Sequence, residues 1–146
     1  MNTISEVQIS YKPSREVFSD IIINRSTQAS EIFQQIWSSD LEYKEEMNII
    51  LMNRANKILG YNRVSTGGTT GTVVDLKVLF QLILKTNTQA FVIAHNHPSG
   101  NLKPSVQDLK LTEKVKEISR LLDVSFLDHM ILSEGSYYSM ADEGDM

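Results

Sequence analysis

The 146-residue chain, 41% apolar and 22% charged, is long enough for one globular domain and fits neither a disordered chain nor a fibre. It has no cysteine, which excludes a disulfide framework, a thiolate zinc site, an iron–sulfur cluster and a cysteine nucleophile. The net charge is −4, no apolar run approaches the ~18 residues of a transmembrane helix, and no signal peptide is visible, so the expectation is one domain over 1–146, soluble, cytoplasmic and without a membrane partner.

In chain order, residues 6–12 read as a short extended segment. Residues 27–38 read as a helix, with Ile32, Phe33, Ile36 and Trp37 on one face. No glycine precedes Gly60, so a helix-hairpin-helix element, whose hairpin needs glycines, is not expected in the first 59 residues. Residues 45–53 read as a mostly buried strand, broken by the run RANK, and KILGYNRVS as its hairpin partner. STGGTTGT is a Gly/Thr-rich loop, and Thr66, Gly67 and Gly68 are open to two readings, the lining of a substrate groove or a plain flexible turn. A helix follows from Asp75 as N-cap to Lys85, with Leu76, Leu79, Phe80 and Ile83 on one face. Residues 90–95 form an apolar run of the kind found in a central strand, and HNHPSGNLKP is a loop. A long helix starts at Ser105, with a stripe of Leu111, Val115, Ile118 and Leu122. Residues 124–132 read as a strand, Ser133 to Ser136 as a hairpin turn, and YYSM as the last strand. The order β-α-β-β-α-β-α-β-β predicts a mixed sheet flanked by helices, in the α/β or α+β class.

Residues 54–120 carry 10 basic and 4 acidic side chains, whereas 121–146 carry 6 acidic and no basic ones. Solvated charge on helix faces accounts for this distribution. A DNA partner would have to use a weak basic face of Lys103, Lys110, Lys114 and Arg120.

The chemistry concentrates around two histidines. Period-two alternation puts His95 and His97 on one face at the end of an apolar strand, and Pro98 then stops that strand. Asp108 follows in the first turn of the long helix, on the stripe that faces the core. A carboxylate there must be paired, hydrogen-bonded or metal-bound. Two readings stand side by side: a metal ligand, or the acid of the capping box Ser105-Val106-Gln107-Asp108. Two imidazoles and a carboxylate suit Zn²⁺ with an open position for water, and other divalent first-row metals also fit. Activating that water takes a carboxylate that is not itself a ligand, and Glu45 and Glu46 are the candidates.

His95-x-His97, seven residues, Ser105, two residues and Asp108, with an earlier glutamate, resembles the JAMM motif of the JAB/MPN metalloprotease superfamily, and more closely its bacterial RadC-like branch. The resemblance rests on AHNHPSGNLKPSVQDLKLT, LLDVSFLDHMIL, EEMNIILMNRANKILG and STGGTTGTVVD, and covers about residues 40–143. It implies a mixed sheet flanked by helices, with a layout similar to the cytidine-deaminase fold. A zinc deaminase is excluded, because H-x-E and P-C-x-x-C are absent. It implies one Zn²⁺ per chain held by His95, His97 and Asp108, a Ser105 that steadies the water or the oxyanion, and Glu45 as base, with Glu46 as the fallback. Glu45 lies eight residues before Asn53, as the family's acidic strand-entry residue does. The implied activity is hydrolysis of a peptide or isopeptide bond in an unidentified peptide or protein. The alternative it implies is the DNA-repair role traditionally attached to RadC-like proteins, or a non-catalytic module. Longer relatives carry an N-terminal helix-hairpin-helix segment, for which residues 1–39 offer a strand and a helix instead. Asp128-His129 belongs to the same pattern and is expected to form a buried structural His–Asp contact.

Overall fold

The computed structural model describes residues 3–12, 20–38, 40–67 and 73–146. The elements are α1 (Ser26–Ile36), β1 (Glu46–Met52), β2 (Ile58–Thr66), α2 (Leu76–Lys85), β3 (Ala90–Asn96), α3 (Val106–Leu121), β4 (Ser125–Ser133) and β5 (Ser136–Ser139). The strands form one mixed sheet in the order β2-β1-β3-β4-β5. β3 and β4 are parallel, joined through α3, and every other neighbouring pair is antiparallel. This is an α+β sheet flanked by helices.

Both faces of the central strands are covered, which is why β1 and β3 are buried along their whole length. On one face Ala29, Ile32 and Phe33 of α1 pack on Ile50, Met52, Val92, Ala94, Met130 and Leu132. On the other, Leu79, Phe80 and Ile83 of α2 and Val115 of α3 pack on Met47, Ile49, Leu51, Phe91 and Ile93. Alternate residues of each strand therefore serve different cores.

Local signals set the ends of the elements. Asp75 caps α2 through the Lys77 amide at 2.9 Å. α3 stops where Asp123 turns left-handed, at φ 56°. Gly135, at φ 72°, makes the β4–β5 turn, with Ser133 opposite Ser136.

The N-terminal reading needs correction. Residues 3–12 form no strand, and Ile4, Val7 and Ile9 are exposed. Alternation makes a strand only where a neighbour supplies a ladder, and among the described residues the pairing in this region is a single bridge from Ile22 to Lys57. Most of the Gly/Thr-rich loop, including Gly68, lies outside the described residues.

Candidate metal centre

The site is built at one end of the central strands. His95 is the penultimate residue of β3 and His97 follows the strand, so both imidazoles turn to the α2/α3 face. Met47 pairs with His95, and the same antiparallel register carried two residues further sets Glu45 opposite His97. The loop after β3 folds back to bring the first turn of α3 over the imidazoles.

Asp108 does two things at once. Its Oδ2 accepts the Ser105 amide at 2.8 Å while Ser105 Oγ accepts the Asp108 amide at 3.0 Å, which completes the capping box. The same carboxylate lies 3.2 Å from His95 Nε2 and 3.1 Å from His97 Nε2. Cap and neighbour of the histidines are thus compatible, and the cap aims the carboxylate. Ser105 Oγ serves the cap as an acceptor, so its own hydrogen stays available for donation.

Among the described residues, Glu45, His95 and His97 offer ligand atoms within 4.8 Å of one another, a group able to hold a metal ion. The two Nε2 atoms are 2.9 Å apart, and Glu45 Oε1 is 3.9 Å from His95 Nε2. Asp108 is closer to both rings than Glu45 is to His95. Glu46 takes the other face. It is fully buried and accepts from Ser38 Oγ at 2.5 Å and Asn48 Nδ2 at 2.9 Å.

The hydrogen-bond network dictates the tautomers. A carbonyl only accepts, so Thr112 Oγ1 donates to the Asp108 carbonyl at 2.9 Å. Thr112 Oγ1 is then the acceptor for His129 Nδ1–H at 2.7 Å. That leaves His129 Nε2 as the acceptor for His95 Nδ1–H at 2.8 Å. His95 Nε2 consequently bears the lone pair. His97 Nδ1 likewise donates to the Asn101 carbonyl at 2.5 Å, which turns its Nε2 lone pair toward His95. Gly100 shapes that loop. The turn through Pro98 and Ser99 returns its amide to the His97 carbonyl at 2.9 Å, and its left-handed φ of 82° then redirects the chain. Two imidazole lone pairs and a carboxylate facing each other can hold a cation between them. This nitrogen/oxygen set fits Zn²⁺.

A proton on an Nε2 atom fills the same place as a metal cation. Burial opposes ionisation of Asp108, but hydrogen bonds from such ring N–H groups of His95 and His97 outweigh it and hold the carboxyl well below the usual range. The hydrogen bond to Asp108 raises His97 against its desolvation. Burial pushes Glu45 up, and the two imidazoles temper the rise. Burial drives His129 well below the ordinary histidine value, which keeps it neutral in the relay.

Sequence reasoning missed His129 and Thr112 as parts of this site. Asp128 and His129 take opposite faces of β4, because adjacent strand residues must. The Asp128 carboxylate accepts from Ser139 Oγ and the Ala141 amide, while His129 bridges His95 and Thr112. The expected His–Asp contact is replaced by a His–His one. The available signal was Thr112, a polar residue four positions after Asp108 on the same helix face. At the centre lies a cavity of about 220 Å³, lined by Glu45, His95 and Asp108 together with Met47, Val73, Val74, Gln107 and Leu111.

A mixed sheet with helices on both faces, and a His/His/carboxylate cluster at the end of its central strands, defines a JAB/MPN-like fold with a JAMM-like candidate metal centre. The chain belongs to the RadC-like JAB domain family, whose model matches residues 11–145. A UPF0758 protein of Flavobacterium johnsoniae is 42% identical over 100 residues, which cover 68% of this chain and 44% of that protein. A UPF0758 protein of Porphyromonas gingivalis is 38% identical over 102 residues, 69% of this chain and 45% of that one. One from Methanococcoides burtonii is 29% identical over 130 residues, 88% of this chain and 57% of that protein. The chain spans about half the length of the curated relatives it matches. No helix among the described residues is long and apolar enough to cross a membrane.

Proposed function

We propose that this chain is a zinc-dependent hydrolase of the JAMM type that cleaves a peptide or isopeptide bond, with His95, His97 and Asp108 as ligands and one zinc ion per chain. The observation that carries the reading is the convergence of two imidazole lone pairs and the Asp108 carboxylate at 2.9–3.2 Å. Bound by these three residues, zinc would supply an acidified water, with a pKa toward ~7, and a polarised carbonyl. Glu45, 3.9 Å from His95 Nε2, takes the proton from the attacking water and delivers it to the departing amine. Burial favours this role, because a base with a raised pKa holds the proton long enough to pass it on. The Ser105 hydroxyl, at the N-terminus of α3, donates to the carbonyl oxygen as negative charge develops on it. The cavity at the centre receives part of the substrate chain. A cytoplasmic site of action accords with a chain that carries no cysteine.

Metal analysis of the wild type and of His97→Ala tests the reading. The wild type is expected to hold about one zinc per chain, as open catalytic sites do, and the variant none. A wild type that stays metal-free after zinc loading removes the proposal.

A further inference from the structure

Asn96 stands between the two histidines in sequence, so alternation turns it away from them, to the α1 face. It is fully buried, and its amide makes three hydrogen bonds. Oδ1 accepts the Glu46 amide at 2.8 Å. Nδ2 donates to the carbonyls of Leu41 at 2.7 Å and Lys44 at 2.9 Å. The Lys44 carbonyl and the Glu46 amide are the peptide groups on either side of Glu45. Planar peptides leave only φ and ψ to rotate, so holding both neighbours fixes the direction in which the Glu45 Cα–Cβ bond leaves the backbone. The Glu45 carbonyl, between them, accepts the Gly67 amide at 2.8 Å. The recorded β1–β3 pairing ends at Met47 and His95, and the Asn96 side chain grips the chain just beyond that end.

We infer that Asn96 is the positioning residue for Glu45. It ties the segment that carries the acid to the strand that carries both imidazoles, through three peptide groups on the face opposite the metal centre. Only an amide meets this demand at one position, since it supplies an acceptor for the Glu46 amide and donors for two carbonyls. The inference rests on the proposed role of Glu45.

Acetohydroxamate is a suitable probe, because it chelates zinc through two oxygens and its acidic proton needs an acceptor beside the metal. Zinc content and acetohydroxamate affinity would be measured by calorimetry on the zinc-loaded wild type, Asn96→Ala, Asn96→Ser, Glu45→Gln and the Glu45→Gln/Asn96→Ala double variant. Asn96→Ala is expected to keep its zinc and to bind the hydroxamate about tenfold more weakly, a loss matching one charge-assisted hydrogen bond. Glu45→Gln should show a similar loss, and the double variant no further one, because the two residues act through one contact. Asn96→Ser carries the same comparison if the alanine variant does not fold. Additive losses, wild-type hydroxamate affinity in the Asn96 variants, or loss of zinc from them overturns the inference while leaving the metal reading intact. A wild type that takes up no zinc overturns the metal reading and this inference with it.

Discussion

Neighbouring residues separate two polar clusters across the sheet. Glu45, His95 and His129 look toward α2 and α3, whereas Glu46, Asn48 and Asn96 look toward α1. On the α1 side, donors and acceptors match. Glu46 accepts from Ser38 and Asn48, and Asn96 uses both ends of its amide. On the other side, acceptors meet acceptors, with the two Nε2 atoms 2.9 Å apart beside the Asp108 carboxylate. A matched buried network holds a structure together, while a mismatched one is completed by a proton or can hold a cation. Burial alone does not separate the two clusters, since His95 and Glu46 are both essentially inaccessible. The difference lies in proton bookkeeping.

The comparison breaks most completely if His97 is removed. His97→Ala should abolish zinc binding while thermal unfolding stays cooperative, because this ring belongs to neither hydrophobic core. Metal analysis alongside a melting curve decides this.

Glu45→Gln and Glu46→Gln sharpen it next. Glu45→Gln should retain zinc and lose ~10²–10⁴ in the rate on any peptide substrate that the wild type turns over. Glu46→Gln should instead leave that rate near wild type and cost about 1–3 kcal/mol of stability, through a disturbed buried network and a weakened pairing with Arg63. A kinetic loss in the second variant and none in the first would reverse the roles of the two faces.

His129 tests whether the relay belongs to the metal side. His129→Leu leaves His95 Nδ1 without its acceptor and should weaken zinc binding about 10–100-fold, the usual effect of removing a ligand's outer partner. The same residue sets a pH dependence in the zinc-free protein. Its folded pKa lies below the unfolded value, so the unfolded chain binds the extra proton first as pH falls. Stability should therefore decline as pH drops below about 6.5, by at most about 1.4 kcal/mol per pH unit for this one group. Denaturant titrations across that range, on the wild type and His129→Leu, should show a shallower slope in the variant.

The smallest effect on zinc binding and stability is expected at Ser105. Ser105→Ala should keep zinc and lose about 1 kcal/mol through the α3 cap, while the lost oxyanion donor should cost ~10²–10³ in the rate on any substrate the wild type turns over. Loss of zinc in this variant would mean that the cap, by aiming Asp108, carries more of the site than the imidazoles do.

Much of this was legible from residues alone. Apolar periodicity located α2, α3 and the central strands. The spacing from His95 to Asp108 picked out the cluster, and period-two alternation split Glu45 from Glu46. These are local properties, set by how a strand or helix directs consecutive side chains. The strand expected in 6–12 failed because pairing is not local, and alternation there meets no ladder. The partners of His129 and Asn96 were likewise invisible in the sequence. His129 meets Thr112 across 17 residues and His95 across 34, and Asn96 meets the segment before β1 across about 50. Only the sheet order, with β3 between β1 and β4, brings these groups within hydrogen-bond reach, and that order determines which nitrogen of His95 and His129 keeps its lone pair.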